Sequence, residues 1–269
     1  MPLAWPAAAR PESGRYELIA VDVGQGTAVV VRTHRHTLVY DAGPRYAPGS
    51  GDAGERIVLP LLRALGERAI DRLVLSHRDA DHTGGAAALL RALPVRAVAS
   101  SFDDAPAPAG NGERCADGQR WEWDGVRFEL LHPPPGGAGT KPNALSCVLR
   151  IDDGRHRALL AGDIEREQEA RLVAEHGAAL RADWLLVPHH GSRTSSTPAF
   201  LDAVQPRVAV VQAGYRNRFG HPAPDVVARY RERGIDVRES AACGAYVWAD
   251  GVGRCERARA PRYWHAPAQ

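Results

Sequence analysis

Apolar and polar positions fall into short runs at the start of the chain. Residues 16–21, 28–32 and 37–40 alternate or are wholly apolar over four to six positions, the pattern of strands in a meander. A helix is expected over 57–65. An apolar strand at 72–76 then runs into a polar loop, followed by a helix rich in Ala and Leu that reaches Leu93. Residues 121–131 read as a hairpin turning at Asp124-Gly125, set between Pro/Gly-rich loops at 103–118 and 133–142. The second half repeats a strand–helix rhythm. Strands are expected at 157–161, 184–187 and 208–212, with helices at 165–176, from Pro198 onward, and at 224–233. A last hairpin turns at Asp250-Gly251. Two mixed sheets with helices outside would bury all these faces, a four-layer αββα arrangement. Residues 1–14 read as a Pro/Ala linker, 15–260 as the domain and 261–269 as a tail.

Composition adds constraints. With 269 residues, 44% hydrophobic and 25% charged, the chain is long and apolar enough for a sizeable core. This excludes a disordered tail, a collagen-like rod and a small disulfide scaffold. No apolar run approaches the ~20 residues of a membrane span, and the first fourteen residues lack the basic-then-apolar pattern of a signal peptide. A net charge of +2 gives no argument for nucleic acid from the whole chain. Lys141 is the only lysine among 34 basic residues. A GC-rich genome accounts for that, so arginine forks gripping phosphate need local support. Cys115, Cys147, Cys243 and Cys255 show no CxxC spacing and are expected to be buried thiols, or one or two disulfides outside the cytoplasm.

Three segments carry chemistry. Ser76-His77-Arg78-Asp79-Ala80-Asp81-His82-Thr83-Gly84-Gly85 puts two imidazoles and two carboxylates within six residues at a strand end. Ligands this dense repel and dehydrate one another unless a cation neutralises them, and a solvated turn needs only one Asp. Asp163 ends the strand RALLAGD. Alone it would be a helix cap; beside a metal loop it becomes a bridge between two cations. Pro188-His189-His190-Gly191-Ser192 again follows an apolar strand. A single His there would be packing, and two in a row favour function.

In this order the segments resemble the metallo-β-lactamase fold. Val21-Asp22-Val23-Gly24-Gln25-Gly26, the HRDADH form of the metal loop and HHGSRTSS narrow the resemblance to the C-terminal domain of the ComEC family, the DNA-uptake channel of competent bacteria. Tyr40-Asp41-Ala42-Gly43, Asn143 with 146–149, and Asn217-Arg218-Phe219-Gly220-His221-Pro222 extend it over about residues 16–250. The resemblance implies that His77 and Asp79 bind one metal and Asp81 and His82 the other, with Asp163 bridging. One of His189 and His190, with His190 preferred, completes the second site, and Asp41 orients a ligand or water from behind. Asp79 stands where most members have His, and Asn143 and Ser146 lie where another His ligand is usual. Asp22 and Gln25 are expected to brace the site.

Carboxylate in place of imidazole hardens the pocket towards Mn²⁺ or Mg²⁺, with Zn²⁺ the other candidate. Two such ions suit phosphodiester hydrolysis by an attacking hydroxide between Asp81 and Asp163, with His190 or His221 protonating the leaving oxygen. His221 reads equally well as a residue entering a helix. Ser192, Arg193, Arg216 and Arg218 are candidates for the DNA backbone. The expected protein is therefore a metal-dependent nuclease acting on DNA, single-stranded for preference, during uptake and degrading the strand not imported. It would be a monomeric soluble domain of a membrane protein, facing the extracytoplasmic side, joined to the channel portion of its parent and without lipid binding of its own. A hydrolase of small phosphodiesters or esters, to which phosphorylcholine esterases look similar, and a non-catalytic DNA-binding domain are the alternatives.

Overall fold

The computed structural model describes residues 9–47, 49–107, 112–136 and 141–261. Residues 1–8 of the expected linker, 262–269 of the tail, and parts of the loops at 103–118 and 133–142 lie outside them. The expected meander is β1 (Glu17–Ala20), β2 (Val29–Arg32) and β3 (Thr37–Tyr40); then come β4 (Ile70–Leu75), β5 (Val95–Ser100) and β6 (Gly112–Arg114). The second half supplies β7 (Arg120–Trp123), β8 (Val126–His132), β9 (Val148–Asp152), β10 (Arg157–Leu160), β11 (Trp184–Leu186), β12 (Val208–Val211) and β13 (Asp236–Glu239). The last hairpin is β14 (Tyr246–Ala249) and β15 (Val252–Cys255). Helices are α1 (Leu59–Ala64), α2 (Ala80–Thr83), α3 (Ala86–Ala92), α4 (Arg166–His176), α5 (Pro198–Val204), α6 (Pro224–Glu232), α7 (Ser240–Cys243) and α8 (Glu256–Arg259).

Two mixed sheets form, in the orders β15-β14-β1-β2-β3-β4-β5-β6 and β13-β12-β11-β10-β9-β8-β7. Three apolar clusters show the four layers. Leu18, Val31, Phe128, Leu149 and Trp184 fill the space between the sheets. Leu172, Phe200 and Val226 pack α4, α5 and α6 on the outer face of the second sheet, and Leu62 and Leu89 pack α1 and α3 on the outer face of the first. Within each sheet the pairs β3–β4–β5 and β10–β11–β12 run parallel. Parallel strands end on the same side, and the loops that leave β3, β4, β10, β11 and β12 carry Asp41, the metal loop, Asp163, His189-His190 and Gln212.

Several expectations are corrected. The helix expected over 57–65 begins earlier, through a wide π-helical turn at Gly54–Val58 that leads into α1. Pro60 follows directly on that wide turn, inside the continuous helix. The helix after the metal loop is split at Gly84-Gly85, where any side chain on Gly85 would strike Ala42 and Gly54 backbone. Strands β5, β6, β9 and β13 are not among those the sequence predicts. The four cysteines are not thiols: Cys115–Cys147 and Cys243–Cys255 are disulfides, the first tying the loop after β6 in one sheet to the start of β9 in the other.

Candidate active site

The metal loop places His77 at the end of β4 and Asp81 and His82 on the single turn of α2. Gly26 holds this turn from the other side. Its φ of 140° suits glycine, and a Cβ there would lie 2.3 Å from the carbonyl of Asp81. Thr27 N–H donates to that same carbonyl at 3.0 Å. The first glycine-rich loop is therefore a support for the metal loop.

Asp41 is fully buried and left-handed, with φ of 58°. Its carboxylate accepts from Ser76 N and Ser76 Oγ, each at 2.7 Å, and from His82 Nδ1 at 2.7 Å. A carboxylate can only accept, so Nδ1 of His82 carries the proton and Nε2 turns its lone pair to the cluster. His190 is fixed in the same way. Its Nδ1 donates to the carbonyl of Gln212 at 2.7 Å. Gln212, which the sequence did not single out, is itself held as its Nε2 donates to the carbonyls of Val21 (2.6 Å) and Ala28 (2.8 Å).

The turn that delivers these imidazoles is strained. His189 and His190 are consecutive left-handed residues, with φ of 49° and 53°. Each costs roughly 1–2 kcal/mol relative to ordinary backbone. Strain of this kind collects where geometry serves chemistry.

Two lone pairs now face each other: Nε2 of His82 and Nε2 of His190 are 3.3 Å apart. Asp163 Oδ1 lies 3.3 Å from the first, and Asp81 Oδ2 lies 3.2 Å from the second. His77 Nε2 is buried without a hydrogen-bond partner, with carboxylates of Asp79 and Asp163 at 3.6 and 3.9 Å. His77, His82 and Asp163 form one group able to hold a metal ion; Asp81, His82 and His190 form another. Acceptors crowded this closely fit divalent cations, which supply the positive charge that these lone pairs lack. Without a cation, protons take that place. Burial disfavours charge on His82, but Asp163 and Asp41 outweigh it and raise its pKa well above the usual value; His190 is raised likewise by Asp163 and Asp81. Burial also pushes Asp81 up, yet His190 and His82 hold it at about 2, and Asp163 lies well below the usual range for the same reason.

The remaining candidates divide. His189 stands at the edge, its Nε2 3.8 Å from Asp163 and its Nδ1 3.1 Å from Thr194 Oγ1. Asn143 approaches His189 Nε2 at 3.5 Å, and Ser146 Oγ accepts from Asp163 N at 3.1 Å. Asp22 does not brace a ligand: its carboxylate accepts from Gly24 N and pairs with Arg257 at 2.6 Å. Gln25 accepts from Gly214 N instead, at the start of the loop that carries His221. Ser192 bonds Thr194, and Arg193 is exposed but paired with Asp225. Arg216 and Arg218 lie over the rings of Tyr215 and Phe219. The two expected proton donors, His190 and His221, are placed differently. The Nδ1 proton of His190 is committed to Gln212, and burial with positive neighbours lowers the His221 pKa to about 4, so its ring is neutral at pH 7.

Residues 21–215 match the model of the metallo-beta-lactamase superfamily. The chain is 38% identical over 261 residues to Competence protein ComA of Neisseria gonorrhoeae, covering 95% of this chain and 36% of that protein. It is 33% identical over 233 residues to Recombination protein 2 of Haemophilus influenzae, covering 85% and 28%. The chain thus spans about a third of the length of these relatives. The metallo-beta-lactamase fold protein YhfI of Bacillus subtilis has the same fold, with a TM-score of 0.58 at 12% identity over 87% of this chain and 99% of that one.

Proposed function

The chain belongs to the metallo-β-lactamase superfamily and is homologous to competence proteins, and from that premise we propose that this metal-dependent hydrolase cleaves the phosphodiester bonds of DNA during its uptake. The observation that carries the reading is the meeting of His82 and His190 Nε2 atoms at 3.3 Å between Asp81 and Asp163. His77, Asp79 and Asp163 would hold one ion, and Asp81, His82 and His190 the other, with Asp163 shared between them. Divalent ions in such a site supply Lewis acidity towards phosphoryl oxygens and make water acidic near neutral pH. Three carboxylates beside three imidazoles make the set harder than a mostly imidazole one, which moves its preference towards Mn²⁺ or Mg²⁺.

The chain's own groups do the rest. Asp41 and the Gln212 carbonyl lock the two imidazoles in one tautomer, so no reorientation is needed when substrate arrives. Asp81 and Asp163, both held ionised, flank the paired imidazoles and can accept hydrogen bonds from an attacking water placed between them. His221, half-buried at the mouth, offers a neutral ring that positions substrate. Arg216 and Arg218 are exposed beside it and complement a phosphate backbone. The two disulfides support a domain facing an oxidising compartment, with the channel portion of a longer parent on the membrane.

The test is hydrolysis of end-labelled single-stranded and duplex DNA by metal-stripped protein given Mn²⁺, Mg²⁺ or Zn²⁺, with Asp81→Ala alongside. Cleavage by the wild type that the variant lacks is expected. Turnover of a small phosphodiester without any cleavage of DNA would replace this reading with a small-substrate hydrolase.

A further inference from the structure

Large hydrophobic side chains exposed to water are few among the described residues: Tyr215 (56%), Phe219 (52%) and Val252 (71%). Val252 lies on β15, the edge strand of the first sheet. The other two sit on one loop, 214–221, beside the metal cluster. A scattered surface aromatic needs no explanation. Phe219 differs because it continues an order of rings that begins inside the site, and Tyr215 shares its loop. His190 is buried within the cluster; His221 lies 6.4 Å from it with ring planes 24° apart; Phe219 lies 5.7 Å from His221 with planes 22° apart. Three rings, each stacked on the next, thus step from the cluster out to solvent.

The loop is built to hold that arrangement. Asn217 Nδ2 donates to the carbonyls of Gly214 and His221, and its Oδ1 accepts from the N–H groups of Phe219 and His221 at 3.1 and 3.0 Å. Gln25 fixes the first residue, Gly214, from the other half of the fold. An exposed ring fixed in advance loses little freedom when something stacks on it. Its flat neighbours are guanidinium groups: Arg218 lies 4.8 Å from the centre of Phe219, and Arg216 lies 5.2 Å from that of Tyr215. Such a group keeps a ring face apolar-compatible in the free protein and pairs with phosphate when a base takes its place.

We propose that Phe219 and Tyr215 form a stacking platform for unpaired bases, which selects single-stranded nucleic acid by its bases while Arg216 and Arg218 take its phosphates. This deepens the nuclease reading and rests on it. A duplex keeps its bases stacked on one another and offers the platform no face. The occupant is a nucleotide of the substrate strand next to the bond being cut.

Fluorescence anisotropy on metal-stripped protein tests this without cleavage. The probes are labelled (dT)12 and an abasic phosphodiester chain of equal length and charge. The wild type is expected to bind (dT)12 about 5- to 100-fold more tightly than the abasic chain. Phe219→Ala, and to a lesser degree Tyr215→Ala, should bring (dT)12 down towards the abasic value while abasic binding holds. Phe219→Trp should keep the preference, which excludes a merely structural effect. Equal affinity of wild type and Phe219→Ala for (dT)12 would overturn the platform, as would parallel loss on both probes. If DNA is cut but the preference is absent, the platform alone fails. If neither probe binds and no DNA is cut, the nuclease reading fails with it.

Discussion

Nδ1 of His82 lies 2.7 Å from Oδ2 of Asp41, and neither side chain is exposed to solvent. Asp41 meets two further donors on Ser76, so its carboxylate is fully occupied in fixing one imidazole and the strand end beside it. Asp41→Asn puts an amide among three donors and leaves at least one unpaired. Metal affinity should fall about 10- to 100-fold, with a loss of roughly 1–3 kcal/mol in stability. Calorimetric metal titration beside thermal unfolding checks both; unchanged metal affinity would remove Asp41 from the site.

Gln212 links the two halves of the fold, since its side chain reaches the carbonyls on either side of the β1–β2 turn while its own carbonyl orients His190. Gln212→Ala deprives two buried carbonyls of a donor. A loss of about 1–3 kcal/mol is expected, together with weaker metal binding, because β12 no longer holds its place. Urea unfolding measures the first. A variant as stable as the wild type would show that the link is dispensable.

Asp124, at the β7–β8 turn, ties that hairpin to the β2–β3 turn through Thr33 Oγ1, Arg35 N and His36 Nδ1. Burial pushes its carboxyl up, but those donors hold it at about 2. A lowered pKa contributes stability above the unfolded value, roughly 4, and loses it as pH falls through the folded value. The wild type should therefore lose its advantage over Asp124→Asn progressively between about pH 4 and pH 2. Urea midpoints of both proteins across that range give the comparison. A constant gap would place the stabilisation elsewhere.

The disulfide Cys115–Cys147 closes a sequence separation of 32 residues and joins the sheets one residue from Ser146, which supports Asp163. The paired variant Cys115→Ala/Cys147→Ala should lose about 2–4 kcal/mol. Metal affinity should also weaken as Ser146 loosens. Full stability in the variant would mean that sheet packing alone fixes this corner.

Much of this architecture can be read from the chain because the strands that frame the site are short apolar runs ending in polar clusters. The metal loop, Asp163 and His189-His190 stand out for that reason. Strand β13 escapes notice because its sequence, Asp-Val-Arg-Glu, is that of a charged edge strand, and β5 because it follows Leu93-Pro94 where a helix is ending. Strand β9 carries Arg150 across from Glu129, a polar pair that interrupts an apolar run. Gln212 gives no local signal at all, since its partners at Val21 and Ala28 lie more than 180 residues away. Asp22 misleads for the opposite reason: it sits in a recognisable motif, yet its partner Arg257 comes from the far end of the domain.

Asp81, His82, Asp163 and His190, with His77 and Asp79, have the chemistry of a divalent-cation site. Titration of metal-stripped protein with Mn²⁺, followed calorimetrically, tests it most directly. Saturable binding of up to two ions per chain is expected, with protons released from His82 and His190, and Asp163→Asn should lose it. No binding by the wild type, or the same isotherm for Asp163→Asn, would contradict it.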